Sequence, residues 1–362
     1  RSAHRYEHWR NSCEGSKQVK GVVFLGDREL EVREFDDPTP GPGEVVLEIK
    51  ASGMCGSDLH FYRAKDGPAT LGLVVDSPKI GGHEPCGVVV AVGAGVEHLA
   101  VGDRVMNHHY SGCGSCADCQ AGWQQLCDDG FVVYGATANG AHAPYMAAKA
   151  DTMVPLPDEL SFAAGAAISC GTGTAFSALA RMGLAGGETI AIFGLGPVGL
   201  SAALFAQQMG ARVIAIDLSS ERLALAAQLG ADELIDGSVV DAVEAVMELT
   251  GGRGAEKTLD CTGAAPARAQ AVRSTRTWGT CCFVGEGGTV ELNVTPDILR
   301  RQLTILGSWT FSSIGQAECA RYVAEHGLDV DRLFTHRFTL DQAHEAYELF
   351  DQQTTGKGVF EF

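Results

Sequence analysis

Residues 189–217 constrain the fold more than any other part of this 362-residue chain. A short apolar run, 190–193, leads at once into Gly194-x-Gly196-x-x-Gly199. Helix-forming sequence follows over 200–209, and a second apolar run, 212–216, ends on Asp217. Strand, glycine turn, helix, strand, acid is the order of a nucleotide-binding β–α–β unit. Gly194 allows the tight turn, Gly196 lets the backbone approach a pyrophosphate, and Gly199 lets helix and strand pack closely. The helix N-terminus offers unpaired N–H groups and a partial positive charge to phosphates. Asp217 stands 18 residues past Gly199, where a carboxylate reaches an adenosine ribose. A bare glycine turn or a membrane span are the competing readings, because 190–211 carries no charge. Glycine, proline and glutamine interrupt that run, and β–α–β order surrounds it, which favours the nucleotide.

The length suits two domains rather than one core. Net charge is −18 with acids scattered. That argues against nucleic acid or an anionic membrane as partner, since both need a basic face. No secretory pattern is read at the start. Many of the twelve cysteines sit at metal-ligand spacings, so the expected compartment is the reducing cytoplasm.

Residues 1–18 show no periodicity and read as an extension outside the fold. From 19 to about 105, short β-branched runs broken by Gly and Pro predict a small, mostly antiparallel β domain. A cysteine-rich lobe, 113–127, interrupts it, and 160–181 reads as one helical connection. Apolar runs at 190–193, 212–216, 233–235, 257–261, 280–284 and 303–308 alternate with amphipathic segments. That predicts a doubly wound parallel sheet. Helices over 317–325 and 340–350 return to the first domain. The predicted division is 19–171 with 310–362, and 172–309.

The lobe reads Cys113-x-x-Cys116-x-x-Cys119-x7-Cys127. Four thiolates at such spacing close tetrahedrally on one zinc, and all four positions filled by protein make a structural site. An iron–sulfur cluster and disulfides are the alternatives. The missing C-x3-C-P continuation favours zinc over the cluster. A second, dispersed set comprises Cys55 in Cys55-Gly-Ser-Asp-Leu-His60, His83 and Glu84 in Gly81-Gly-His-Glu-Pro85, and Cys170. Two cysteines and a histidine leave one zinc position open for water or substrate. By spacing alone this set is weak, since a lone Cys or His is usually core.

Taken in order, these motifs resemble the medium-chain zinc alcohol dehydrogenase family over nearly all of 19–362. The resemblance implies a Rossmann-type doubly wound domain, a GroES-like antiparallel domain carrying the lobe, and two zinc ions. It implies that Cys55, His83 and Cys170 hold catalytic zinc with Glu84 beside it, and that Asp58 orients His83. It further implies Lewis-acid activation of an alcohol and hydride transfer to a nicotinamide. The resemblance also implies that Ser57 takes the proton and relays it, through the nicotinamide ribose, to His60. Thr174, Gly194, Gly196, Pro197, Val198, Gly199, Asp217, Arg222 and Val284 match cofactor positions. Gly56 departs from the family, where a basic residue commonly reaches the pyrophosphate.

His109, with Asn107, His108 and Tyr110, and Trp309 fall where the family lines its substrate pocket, or else they only pack the lobe. Such polar groups suit a hydroxylated substrate. Cys170 stands against a polyol, because polyol and threonine dehydrogenases usually place a Glu near the third ligand. The expected function is therefore an alcohol dehydrogenase first, a polyol or amino-alcohol dehydrogenase second, and a non-catalytic zinc and nucleotide binder last. Asp217, followed by Glu221 rather than an adjacent cation, predicts NAD over NADP. Sequence flanking the last strand, 289–294 and 301–307, predicts pairing into a homodimer or homotetramer.

Overall fold

The computed structural model describes residues 18–65 and 77–362. The extension expected over 1–18 lies outside them except for Gln18, which belongs to the fold as the first residue of a strand.

Contacts divide the chain into two compact units. One holds the described residues up to Cys170 together with Ser312–Asp351 and Lys357–Phe362; the other holds Gly171–Phe311 and Gln352–Gly356.

In the first unit β1 (Gln18–Gly26) and β2 (Glu29–Asp36) form a hairpin. There follow β3 (Glu44–Gly53), helix α1 (Gly56–Arg63), β4 (Glu84–Val92) and β5 (Arg104–Asn107). Next come β6 (Tyr110–Ser111), the short helix α2 (Ala117–Gln120), β7 (Val132–Val133), β8 (Tyr145–Lys149), β9 (Met153–Pro155) and α3 (Phe162–Ile168). Leu47, Ile49, Val89, Val105 and Met146 pack together as buried core inside this β domain. Ser161 caps α3 by accepting the Ala164 N–H at 2.9 Å, as a helix start requires.

One expectation fails here. Residues 160–181 are two helices, because Ser169 and Cys170 break the run. Ser169 Oγ donates to the Gly165 and Pro85 carbonyls at 2.9 and 3.0 Å. Such side-chain bonding to the preceding turn competes with helix continuation.

The second unit opens with α4 (Gly171–Met182) and then alternates: β10 (Thr189–Phe193), α5 (Pro197–Gln208), β11 (Arg212–Asp217), α6 (Ser220–Gln228), β12 (Glu233–Asp236), α7 (Ala242–Leu249), β13 (Ala255–Asp260), α8 (Ala265–Ser274), β14 (Thr275–Phe283) and β15 (Thr304–Gly307). All neighbouring pairs are parallel, in the order β12-β11-β10-β13-β14-β15. This is the doubly wound arrangement, whose direction reverses between β10 and β13. Ile190 to Phe193 are buried without alternation, as in a strand covered on both faces. The uncharged stretch 190–211 is thus strand, glycine turn and helix. Among the described residues no single helix is long and apolar enough to cross a membrane.

The chain then returns to the first unit as α9 (Ser313–His326), β16 (Phe334–Phe338), α10 (Ala343–Asp351) and β17 (Lys357–Glu361). Sheet order there is β16-β17-β3-β4-β5-β9, with β8 also on β3. Antiparallel pairs dominate; β16 and β17 are parallel. Val22, Phe24, Met54, Leu59, Tyr347 and Phe360 form a second core beneath α10.

Candidate active site and metal centres

Four side chains from three segments meet in the first unit. Cys55 precedes α1, His83 and Glu84 stand at the start of β4, and Cys170 follows α3. All four are buried, and their donor atoms lie within 4.8 Å of one another. The sulfurs of Cys55 and Cys170 are 3.7 Å apart. Metal–sulfur bonds of about 2.3 Å at a tetrahedral ion put two ligand sulfurs about 3.8 Å apart, so the pair already has zinc spacing.

One carboxylate ties these segments together. Asp58 accepts the Cys55 N–H at 2.9 Å, satisfying the first turn of α1, and bonds His83 Nδ1 at 2.8 Å. That bond places the proton on Nδ1 and turns Nε2 inward. Nε2 is buried and makes no hydrogen bond of normal geometry among the described residues, so it is the nitrogen left to meet a metal once it has lost its proton. Burial opposes charge on both partners, yet Asp58 holds the imidazole well above its usual pKa and His83 holds the carboxyl below its own. The contact between the two sulfurs keeps the Cys55 thiol well below, and the Cys170 thiol well above, the ordinary value.

Glu84 is pushed up to about 7 by burial, against the pull of Lys357. A Cβ at Gly53 would strike the Glu84 carboxylate, so glycine there makes room for it. Lys357, on β17, was not singled out in the sequence. It is fully buried, pairs with Glu84, and donates to the Met54 carbonyl at 3.2 Å. A lone Lys between two glycines carries no signal of such a role. Three more unmarked residues, Ser52, His142 and Tyr347, lie buried behind Asp58.

The lobe brings Cys113, Cys116, Cys119 and Cys127 together, again within 4.8 Å. All are free thiols, so the disulfide alternative is not formed here. Their sulfurs accept backbone N–H groups: Cys127 from Cys113, Cys113 from Cys116, and Cys116 from Cys119, at 3.3–3.5 Å. The Ser115 hydroxyl and neighbouring N–H groups hold the Cys113 thiol down to about 6. A Cβ at Gly112 would meet the Cys119 sulfur. N–H donors aimed at sulfur suit a four-thiolate zinc site.

Around the first cluster, His109 is buried with its ring 5.0 Å from that of His83, and its Nδ1 bonds the Ser169 carbonyl at 2.9 Å. Burial pushes His108 down to about 4, and Asn107 donates to Thr152 Oγ1 at 2.6 Å. Ser57 is half-buried and His60 exposed, both on α1, and a Cβ at Gly56 would meet open space. Trp309 belongs to the second unit, where its indole N–H donates to Glu286 at 2.6 Å.

The glycine turn sits at the C-terminal end of β10. Gly194 has φ +89°, Gly196 precedes α5, and Pro197 takes its first position, a preferred place for proline. A Cβ at Gly199 would collide with the Gly194 carbonyl. Asp217 ends β11 and accepts N–H groups from Leu195 at 2.5 Å, Leu218 at 2.8 Å and Ser219 at 2.9 Å. Thr174 is buried on α4, and Val198 and Val284 are half-buried. Arg222, expected beside the ribose, is buried with Nε donating to the Thr355 carbonyl at 3.1 Å.

The alcohol dehydrogenase GroES-like domain matches residues 41–158, and the zinc-binding dehydrogenase domain matches residues 197–326. The uncharacterized zinc-type alcohol dehydrogenase-like protein YphC of Escherichia coli is 40% identical over 360 residues, covering 96% of this chain and 99% of that protein. The chain belongs to the medium-chain zinc alcohol dehydrogenase family. Another relative in that family, a sorbitol dehydrogenase of Bacillus subtilis, is 32% identical over 336 residues, with 92% of this chain and 93% of the relative covered. A zinc-binding dehydrogenase from Sinorhizobium meliloti, solved bound to NADP, superposes with TM-score 0.83 at 28% identity, over 96% of this chain and all of that one (100%). As a medium-chain zinc alcohol dehydrogenase, this protein is an oxidoreductase of the alcohol and polyol class, using zinc and a nicotinamide cofactor on a small-molecule alcohol.

Proposed function

We propose that the enzyme oxidises an alcohol with NAD, using one catalytic zinc on Cys55, His83 and Cys170 and one structural zinc on Cys113, Cys116, Cys119 and Cys127. The observation that carries this reading is the buried donor cluster in which Asp58 turns His83 Nε2 inward. When bound, zinc supplies Lewis-acid activation of the hydroxyl, and the nicotinamide accepts hydride. The chain's own residues position and deprotonate. Asp58 fixes the His83 ring, and Lys357 balances the charge of Glu84 beside the thiols. Ser57 accepts the hydroxyl proton as it hands on its own, and exposed His60, three residues on along α1, ends the relay by releasing a proton to solvent. His109 shapes the alcohol site within the first unit.

The catalytic role belongs to 19–171 with 310–362, and the nucleotide to 172–309. There Thr174, Gly194, Gly196, Pro197, Val198, Gly199, Arg222 and Val284 serve the cofactor, with Asp217 on the ribose. An ionised carboxylate has about four acceptor positions, and Asp217 uses three on backbone N–H groups. The remaining one suits a hydroxyl donor and repels a 2′-phosphate. Free lobe thiols fit a reducing compartment, and we place the enzyme in the cytoplasm. The edge strand β15, flanked by exposed Val294 and Leu299, is the proposed pairing surface of a homodimer or homotetramer. A monomer in sedimentation at micromolar concentration would remove that surface.

The polyol reading stays beside the simple-alcohol one because a sorbitol dehydrogenase is among the relatives. A panel of alcohols, polyols and amino alcohols, each with NAD and with NADP, is read at the absorbance of the reduced cofactor. Turnover of simple alcohols with NAD is expected; turnover confined to polyols selects the second reading. No turnover with any member leaves a non-catalytic binder. Metal analysis should find two zinc ions per active chain, and one or none would sink the two-site assignment.

A further inference from the structure

We propose that Arg268 is a positioning residue for the nicotinamide half of the cofactor, clamping together the two segments that follow β13 and β14. The proposal rests on the reading of the second unit as the nucleotide domain, with Asp217 at the adenosine ribose.

In a doubly wound sheet the dinucleotide lies across the crevice where strand order reverses, outside the carboxyl ends of the strands. Here the reversal falls between β10 and β13, and Asp217 ends β11 on one side of it. The adenosine half takes that side, which leaves the nicotinamide half to the ends of β13 and β14. Its floor is then residues 261–264 and 284–288, which follow those two strands.

Both segments are built on one residue. Asp260, the last of β13, is fully buried. One carboxylate oxygen accepts the Thr262 hydroxyl at 2.6 Å and the Thr262 N–H at 3.0 Å, and the other accepts the Gly263 N–H at 3.3 Å. Its main-chain carbonyl accepts the N–H groups of Val284 and Gly285 at 2.9 and 3.0 Å. Arg268, near the start of α8, closes the arrangement. Nε donates to the Asp260 carboxylate at 3.3 Å and Nη2 to the Gly285 carbonyl at 2.5 Å. The guanidinium carbon stands 5.7 Å from the centre of the Phe283 ring. A planar guanidinium carries its donors in a fixed fork and so spans a carboxylate and a carbonyl at once, which a point-like ammonium does less well.

The glycines show how closely the two segments are held. A Cβ at Gly285 would strike the Gly263 nitrogen, one at Gly263 the Glu286 carbonyl, and one at Gly288 the Gly263 carbonyl. Toward the phosphate turn, a Cβ at Gly194 would meet Thr262 Cγ2 at 2.5 Å, so turn and clamped segments adjoin. The β13–β14 ladder reaches Asp260 and Phe283 without help from Arg268; the bridge acts beyond the strand ends, where a ligand lies. Segments fixed before the ligand arrives spare it the cost of ordering them.

Arg268→Met keeps the aliphatic stem and removes the fork. Binding of NADH, NADPH and AMP is measured by titration calorimetry beside the melting temperature of each protein. The dinucleotide that the parent binds should bind Arg268→Met about tenfold more weakly. AMP, which reports the adenosine half alone, should keep its parent affinity. Arg268→Lys, with the charge but no fork, should show the same selective loss to a smaller degree, and it carries the comparison if Arg268→Met fails to fold. Parent-like dinucleotide affinity overturns the proposal, whatever the melting temperature. So does an equal loss for AMP and dinucleotide, which would make Arg268 a support of the whole unit. Two further titrations separate the readings. If the parent binds none of the three, or Asp217→Gly leaves AMP affinity unchanged, the nucleotide reading itself is wrong; if both behave as expected while Arg268→Met keeps full affinity, only the clamp is wrong.

Discussion

Lys357 and Glu84 are a residue pair whose worth depends on both being present. Each is buried, and each would be an uncompensated charge without the other. Removing one member of such a pair costs about 3–5 kcal/mol, while removing both is far milder. Lys357→Met should therefore lower the unfolding free energy of zinc-free protein by about 3 kcal/mol. Adding Glu84→Gln should restore more than half of it in urea titrations. Equal losses in the single and double variants would show that the ammonium does not compensate this carboxylate. Asp217 makes the other residue-scale prediction. Replacing it with glycine removes a repulsion toward a 2′-phosphate of about 2 kcal/mol, so the NADP-to-NAD ratio of kcat/KM should rise about thirtyfold. An unchanged ratio would mean that Asp217 does not meet the ribose.

At the scale of elements, the glycine turn and the lobe were legible because each is local. Gly194, Gly196 and Gly199 mark a strand-to-helix junction within six residues, and the helix begins at Pro197 as that pattern requires. Four cysteines inside fifteen positions needed no knowledge of the fold, and they do converge. Lys357, His142 and Tyr347 left no such trace. Lys357 reaches Met54 across 303 positions and Tyr347 reaches His142 across 205; only sheet pairing and helix packing bring them together. The helix break at Ser169 was hidden for another reason: its hydroxyl bonds Pro85, 84 positions away, while the surrounding alanines read as uninterrupted helix. The lobe's own prediction follows from its locality. Cys119→Ser should release one zinc and lower the melting temperature, since binding there is folding energy, whereas Cys55→Ser should release the other with little unfolding. Metal counts and melting curves of the two variants check this together.

For the whole molecule, buried histidines set a pH limit. His108 and His142 are both pushed down to about 4 by burial, while an unfolded histidine titrates near 6.5. At these two sites the unfolded chain binds more protons between those values, so their contribution is complete above about pH 6.5 and falls as pH drops toward 4. Each contributes up to about 3 kcal/mol across that window. Urea midpoints from pH 7 to 5 should decline, and His142→Gln should flatten the slope; a midpoint constant over that range would contradict the buried neutral state. A different limit comes from chain order. β17 pairs with β3, and its first residue supplies the ammonium beside Glu84. During synthesis, then, Cys55, His83 and Cys170 emerge long before the strand that neutralises their surroundings. The residues of the nucleotide unit up to Phe311 are likewise made before Lys357. A chain that has not yet reached Lys357 therefore holds Glu84 without the ammonium that balances it in the folded unit.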